Sequence, residues 1–167
     1  NLDAVIEIGG GYGSMVSVMK NINKNIEYTI YDLPEVNLLQ YYYLKSLNIK
    51  CEISSLNENI NLLSDLNILK KKITILKQKK KKVLVIANWS ISEMPIQLRN
   101  DLEFVFLSCD FACVSFQDYF EKTSNISYFN ELEKKLSNEY STSIMPIREM
   151  NSIFNLNKHF IFLLKKL

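Results

Sequence analysis

The stretch that decides the fold is VIEIGGGYGS, residues 5–14. An apolar run meets an acid, Glu7, and then enters a turn that holds all 4 glycines of the chain: Gly9, Gly10, Gly11 and Gly13. Residues 4–8 predict a buried β-strand that ends at the glycines. A glycine-rich turn between a strand and a helix lets the backbone approach a ligand and points free N–H groups at anions. The stretch therefore predicts a ligand-binding loop.

Strands and helices alternate along the rest of the chain. Apolar runs predict strands at 4–8, 27–31, 50–54, 82–87, 112–116, 143–147 and 159–164. Helical periodicity predicts helices from Ser14 to about Asn23, from Pro34 onward, over 96–107 and over about 127–140. This alternation predicts an α/β fold of the Rossmann-like kind. It has a mostly parallel seven-stranded sheet, helices on both faces and an antiparallel last strand.

Two parts of this pattern rest on weaker signals. The helix after Pro34 has apolar residues that predict its inner face, namely Val36, Leu39, Tyr43 and Leu47. Residues 55–82 show little periodicity; a helix is expected over 57–69, and the lysine run 79–82 reads as a solvated loop.

Length and composition exclude several classes of protein. The 167 residues predict one domain, 1–167, and the start at Asn1 suggests the C-terminal part of a longer protein. No apolar run approaches the ~20 residues of a membrane span, and no signal peptide precedes the first strand. Cys109 and Cys113 lack the second pair of ligands that a zinc site needs, so no metal is expected. Reduced cysteines favour a cytoplasmic location.

The glycine spacing separates two kinds of cofactor loop. Dinucleotide folds use G-x-G-x-x-G, and here Ser14 stands where the third glycine belongs. The pattern present is an acid at position 7 followed by alternating glycines. An NAD(P) site and a glycine turn without a ligand both remain open as alternatives.

The acid-x-G-x-G-x-G pattern resembles motif I of class I S-adenosylmethionine (SAM) methyltransferases. This resemblance implies SAM as cofactor: Glu7 favours its cationic methionine part, and the amides of Gly9, Gly10, Gly11 and Gly13 favour its carboxylate. A second acid should follow about 20 residues past the loop to accept the ribose hydroxyls. Asp32 stands at that distance, with Leu33 beside it.

Two further motifs narrow the resemblance. Asp32-Leu33-Pro34 is similar to the DLP of small-molecule O-methyltransferases. The loop SISEMP, residues 90–95, resembles that of bacterial sugar O-methyltransferases associated with surface-polysaccharide synthesis, which also carry an aromatic-Gln, then Asn and Tyr-Phe. Phe116-Gln117, Asn125 and Tyr128-Phe129 match that order. Because members of this family carry an N-terminal region before the first strand, the resemblance implies that part of the acceptor pocket lies outside residues 1–167.

The resemblance places the acceptor over the ends of the fourth and fifth strands. Glu93 is the first candidate for general base, although Ser92 and Glu93 are also helix-start signals. Asp118 is the second candidate. Asn88 is expected beside the cofactor, and the expected acceptor contacts are Ser90, Ser92, Gln117 and Asn125. His159, the single histidine, lies far in chain order from these loops, so a structural role is expected.

The sequence therefore predicts a SAM-dependent O-methyltransferase acting on a sugar or another small molecule. The segment Asn88-Trp89-Ser90-Ile91 differs from the [D/N]-P-P-[Y/F] of enzymes that methylate DNA bases, so no nucleic-acid partner is expected. Two alternatives remain, an NAD(P)-dependent oxidoreductase and a SAM-binding module without activity. The acceptor and the oligomeric state are not determined by the sequence.

Overall fold

A computed structural model describes residues 2–153 and 157–167 of the chain. Contacts divide the chain into two compact units, Asn1–Leu84 and Val85–Leu167. The boundary falls inside a strand, Val83–Asn88.

The first unit is built from parallel strands and the helices that connect them. Its elements are β1 (Ala4–Ile8), α1 (Ser14–Ile22), β2 (Glu27–Tyr31), α2 (Pro34–Ser46), β3 (Glu52–Ile53), β4 (Ile60–Leu63) and α3 (Leu66–Gln78). The strands lie in the order β3-β4-β2-β1, and every pair is parallel. All of β1 is buried, as expected for a parallel strand. Ile8 pairs with Tyr31, so the loops that follow β1 and β2 leave the same edge.

The second unit contains strands and helices, and its last strand runs antiparallel to its neighbours. Its elements are β5 (Val83–Asn88), α4 (Ser90–Glu93), α5 (Ile96–Phe106), β6 (Phe111–Gln117), β7 (Tyr119–Phe120), β8 (Thr123–Ser124), α6 (Asn125–Leu136), β9 (Tyr140–Pro146), α7 (Arg148–Ile153) and β10 (His159–Lys166). The order is β5-β6-β10-β9, and β10 runs antiparallel to both of its neighbours. Strands β7 and β8 form a separate hairpin.

The α/β class and the antiparallel last strand are confirmed, but the predicted number of strands is wrong. Eight strands pair in the two orders above, where seven were predicted. The missed strand is β4, a run of four buried residues inside the region where a helix was expected over 57–69. So short a buried strand shows no alternation by which it can be recognised. The strand predicted at 50–54 is reduced to the two residues of β3.

The predicted inner face of α2 is also wrong. Its buried side chains are Asn37, Gln40 and Leu44, whereas Leu39 is 56% exposed. The real inner face is displaced by one residue, which is a rotation of about 100° around the helix axis. Two amides thus point inward where apolar residues were expected. One of them, Gln40, has a specific partner in the glycine loop.

No helix in the described part of the chain combines the length and hydropathy needed to cross a membrane.

Candidate functional site

The glycine loop joins β1 to α1 through three left-handed residues. The backbone φ values of Gly9, Gly11 and Gly13 are 70°, 54° and 93°. Side chains rarely tolerate this region, so the alternating glycines of the motif are the ones that the turn itself requires. A Cβ atom added to Gly11 would meet no heavy atom within 4 Å. The loop therefore leaves open space beside its backbone at Gly11.

Gly10 is a glycine for a different reason. A Cβ atom at this position would lie 2.7 Å from Cγ2 of Ile30 and 3.1 Å from Oε2 of Glu7. Ile30 is fully buried, so it has little room to give way. Gly10 thus lets the loop pack directly on β2 and beside the acid of β1.

Asp32 ties the end of β2 to this loop. Its Oδ2 atom accepts hydrogen bonds from the amide of Gly10 and from Nε2 of Gln40, both at 2.9 Å. Its Oδ1 atom accepts one from the amide of Leu33 at 2.9 Å. A carboxylate offers about four lone-pair positions, so these three bonds leave one acceptor position, on Oδ1. Burial raises the pKa of Asp32 although these hydrogen bonds oppose the shift.

Gln40 is a site residue that sequence reasoning missed. Its Nε2 atom donates to the carbonyl of Gly11 and to Asp32, both at 2.9 Å, so one amide group joins the loop to the acid. The other end, Oε1, is buried and has no hydrogen-bond partner among the described residues. A buried acceptor without a partner is uncommon in folded proteins. The available signal was a polar residue three positions after Asn37 on the same face of a predicted helix.

Glu7 is a buried acid held by a tyrosine. Its side chain is only 4% exposed, and its Oε2 atom accepts a hydrogen bond of 2.8 Å from the Tyr28 hydroxyl. Burial raises the pKa of Glu7; the Tyr28 hydrogen bond opposes this shift, and the charge of Asp32 adds to it. Burial and the neighbouring carboxylate raise the pKa of Tyr28 as well. The strand end thus carries an acid in an environment that favours a cationic partner.

Apolar side chains lie exposed around this acidic edge. Leu33, directly after Asp32, is 64% exposed, and Tyr12 of the glycine loop is 52% exposed. The Tyr12 ring meets Tyr43 of α2 edge to face, with 4.9 Å between centroids. The predicted cofactor residues of the first unit are therefore gathered in one place: Glu7, Gly9, Gly10, Gly11, Gly13, Asp32 and Leu33.

A buried arginine organises the loops of the second unit. Arg99 of α5 is 1% exposed. Its guanidinium donates to the carbonyl oxygens of Ser92 and Met94 at 2.7 and 2.8 Å, and to Oδ1 of Asn125 at 2.6 Å. Its three partners belong to the loop after β5 and to the start of α6. Desolvation lowers the pKa of Arg99, as expected for a buried cation with neutral partners.

The Arg99 contacts continue to the residues predicted to meet the acceptor. Asn125 donates through Nδ2 to the carbonyl of Gln117 at 2.8 Å. Ser92 donates through its hydroxyl to Oε1 of Gln117 at 2.9 Å, and Nε2 of Gln117 reaches Oε1 of Glu93 at 3.4 Å. Ser92 and Asn125 are fully buried, whereas Glu93 is exposed. Of these four residues, only Glu93 is exposed to solvent, and the side-chain amide of Gln117 contacts its carboxylate.

The other predicted residues of this unit lie at the same strand ends. Asn88, the last residue of β5, accepts a hydrogen bond of 3.3 Å from the Ser115 hydroxyl. Ser90 begins α4 and is half-buried. The Asp118 carboxylate accepts from the amides of Tyr119 and Lys158, at 2.9 and 3.2 Å, which makes it a loop-bracing group. Among residues 2–153 and 157–167 no group of three His, Cys, Asp or Glu side chains could hold a metal ion.

Solved structures of known proteins share this fold. The methyltransferase domain of bacterial CtHen1 matches with a TM-score of 0.67 and 16% identity, over 98% of this chain and 90% of that one. The O-methyltransferase domain of StiE matches with a TM-score of 0.66 and 10% identity, over 99% and 68%. The plantazolicin methyltransferase BpumL, solved with S-adenosylhomocysteine (SAH), matches with a TM-score of 0.59 and 11% identity, over 99% and 77%.

No protein-family model matches the sequence, and no curated protein matches it either. Identities of 16% and below establish the architecture and not the activity. The chain therefore has an α/β methyltransferase fold, as the glycine loop predicted.

Proposed function

We propose that the protein is a SAM-dependent O-methyltransferase whose first unit holds the cofactor. The observation that supports the proposal is that the alternating glycines, Asp32 and Glu7 lie together at the ends of β1 and β2. The left-handed glycines leave the loop backbone open at Gly11, and Asp32 keeps one acceptor position on Oδ1. A ribose hydroxyl suits that position, and the exposed Leu33 beside it suits an adenine ring.

The charge pattern of the first unit supports SAM over a dinucleotide. Glu7, which is buried, and Asp32, which is half-buried, lie at neighbouring strand ends, and burial raises the pKa of both carboxyls. A cationic ammonium beside Glu7 relieves the cost of that buried carboxylate, whereas a pyrophosphate adds to the negative charge. When bound, SAM supplies an electrophilic methyl group on a positively charged sulfur.

The second unit supplies the residues for the acceptor. We propose that Glu93 accepts the proton of the acceptor hydroxyl, because it is the exposed carboxylate of the Arg99 network. Gln117 orients Glu93, Ser92 and Asn125 hold Gln117, and Arg99 in turn holds Asn125. A hydroxyl is a poor nucleophile, so a positioned base contributes to the rate. The sugar as acceptor class rests on the resemblance of the SISEMP loop.

Titration calorimetry with SAH and with NADH tests the cofactor. We expect SAH to bind with micromolar affinity and NADH not to bind, since the loop lacks the third glycine of the dinucleotide pattern. Binding of NADH without binding of SAH contradicts the proposal and favours an oxidoreductase. Binding of SAH without methyl transfer to any acceptor favours a SAM-binding module.

Substitution of Asp32 tests the ribose contact. We expect Asp32→Ala to weaken SAH binding by about 1–3 kcal/mol, because a ribose hydroxyl loses its acceptor. Asp32→Asn keeps one acceptor oxygen, so its SAH affinity should fall between those of the wild type and Asp32→Ala. Asp101→Ala, an exposed acid of α5, is the matched control and should leave the affinity unchanged. Equal SAH affinity in all four proteins would show that Asp32 does not contact the cofactor.

Substitution of Glu7 separates stability from binding. A carboxyl whose pKa is raised by folding destabilises the protein above that pKa, and the cost disappears as the pH falls toward the ordinary value of 4.5. Glu7→Gln keeps an acceptor for Tyr28 without a charge. We therefore expect it to unfold at an equal or higher temperature at pH 7, with the difference closing toward acid, and to bind SAH more weakly. A Glu7→Gln variant that unfolds at a lower temperature than the wild type at pH 7 contradicts this account.

Substitution of Glu93 tests the base. Transfer of a tritiated methyl group from SAM to a panel of free hexoses and nucleotide sugars measures the activity. We expect Glu93→Gln to lower kcat by about 10²–10⁴-fold with SAH affinity unchanged, because the general base is lost and the cofactor residues are not. Glu131→Gln, an exposed acid of α6, serves as the control. Full activity of Glu93→Gln removes Glu93 from the mechanism.

A further inference from the structure

The antiparallel direction of β10 changes the position of the single histidine. His159 begins β10 and pairs with Gln117, the last residue of β6. His159 is distant in chain order from the loops after β5 and β6, but this pairing brings it next to the end of β6. The structural role expected of it stays a prediction. An antiparallel strand starts at the edge where its neighbour ends, so His159 lies beside the candidate acceptor residues.

His159 holds the indole of Trp89, the residue directly after β5. Trp89 Nε1 and His159 Nδ1 are 3.1 Å apart, and the two rings meet at 74° with 6.1 Å between centroids. An indole N–H only donates, so Nδ1 must be the acceptor. The imidazole is therefore neutral, with its proton on Nε2.

Trp89 is also fixed through its backbone. Its φ of 61° lies in the left-handed region, which is unusual for a bulky residue and marks a position that the surroundings impose. The Trp89 amide donates to the carbonyl of Ser115 at 2.8 Å, and its carbonyl lies 2.6 Å from the Ser92 hydroxyl, whose single hydrogen it shares with Oε1 of Gln117. Trp89 thus turns the chain from β5 into α4, the helix that carries Glu93.

We propose that His159 is a positioning residue: its neutral Nδ1 holds Trp89 as an aromatic wall of the acceptor site and fixes the entry into α4. The inference rests on the proposed function, because it assigns Trp89 to the acceptor side of a methyltransferase. A half-buried indole held at its N–H edge presents a ring face, which suits the apolar C–H face of a sugar ring.

The chain has one tryptophan and one histidine, so nuclear magnetic resonance reports on this pair directly. The indole N–H signal of the ¹⁵N-labelled full chain is compared at one pH in the wild type and in two variants at position 159. We expect the wild-type indole to exchange with solvent about tenfold more slowly than that of a variant without the acceptor, since one hydrogen bond protects it.

Two variants complete the test. His159→Asn offers an amide oxygen near the place of Nδ1, so its indole signal should stay protected. His159→Phe has no acceptor, so its indole should exchange fast. A wild-type or His159→Asn signal as fast as that of His159→Phe overturns the inference. Free N-acetyltryptophanamide at the same pH gives the unprotected rate if His159→Phe does not fold.

Calorimetry with SAH on the wild type separates this inference from the proposed function. Wild type that binds no SAH but has a protected indole refutes the methyltransferase proposal and leaves the Trp89–His159 contact intact. Wild type that binds SAH but has an unprotected indole refutes the positioning role of His159 alone.

Discussion

The need to satisfy buried polar groups at strand ends is the constraint on which both units depend. Asp32 lies in a partly buried position, and its carboxylate is held by two backbone amides and the Gln40 amide. These bonds hold the glycine loop against β2 and anchor α2 through Gln40. A binding loop of left-handed glycines has few conformational restraints of its own. Here the restraint comes from a side chain outside the motif.

Arg99 has the corresponding role in the second unit, with the charge reversed. A guanidinium removed from solvent needs its N–H groups matched, and carbonyl and amide oxygens of two loops supply the match. The result is a network in which Ser92 and Asn125 are internal and Glu93 is presented outward. Residues that resemble substrate contacts in sequence can thus support a contact residue without touching the substrate themselves. Truncating Ser92 or Asn125 would disturb Gln117 before it removed a contact to a ligand.

The sequence predicted the elements with a clear local signal and failed where the signal came from elsewhere. The strand 4–8, the glycine turn and the acid at position 32 follow from apolar runs and spacing, and the structure places them together. Strand β4 was missed because four buried residues carry no period. The face of α2 was misassigned because Asn37 and Gln40 are buried, and a rule that turns apolar residues inward cannot anticipate a buried amide. The proximity of His159 to the end of β6 could not be predicted, because chain order does not reveal the direction of a strand.

By itself the sequence determined the α/β class, the glycine loop at the end of β1 and the positions of the two acids, Glu7 and Asp32, around that loop. These properties follow from glycine conformation, strand burial and the distance between two acids, all of which are local. Only the tertiary structure decided which polar residues are internal, which face of α2 turns inward and that His159 meets Trp89. Those properties depend on pairs distant in sequence, such as Trp89 with His159 and Arg99 with Asn125. Their contact arises from strand direction and from the requirement that buried donors find acceptors.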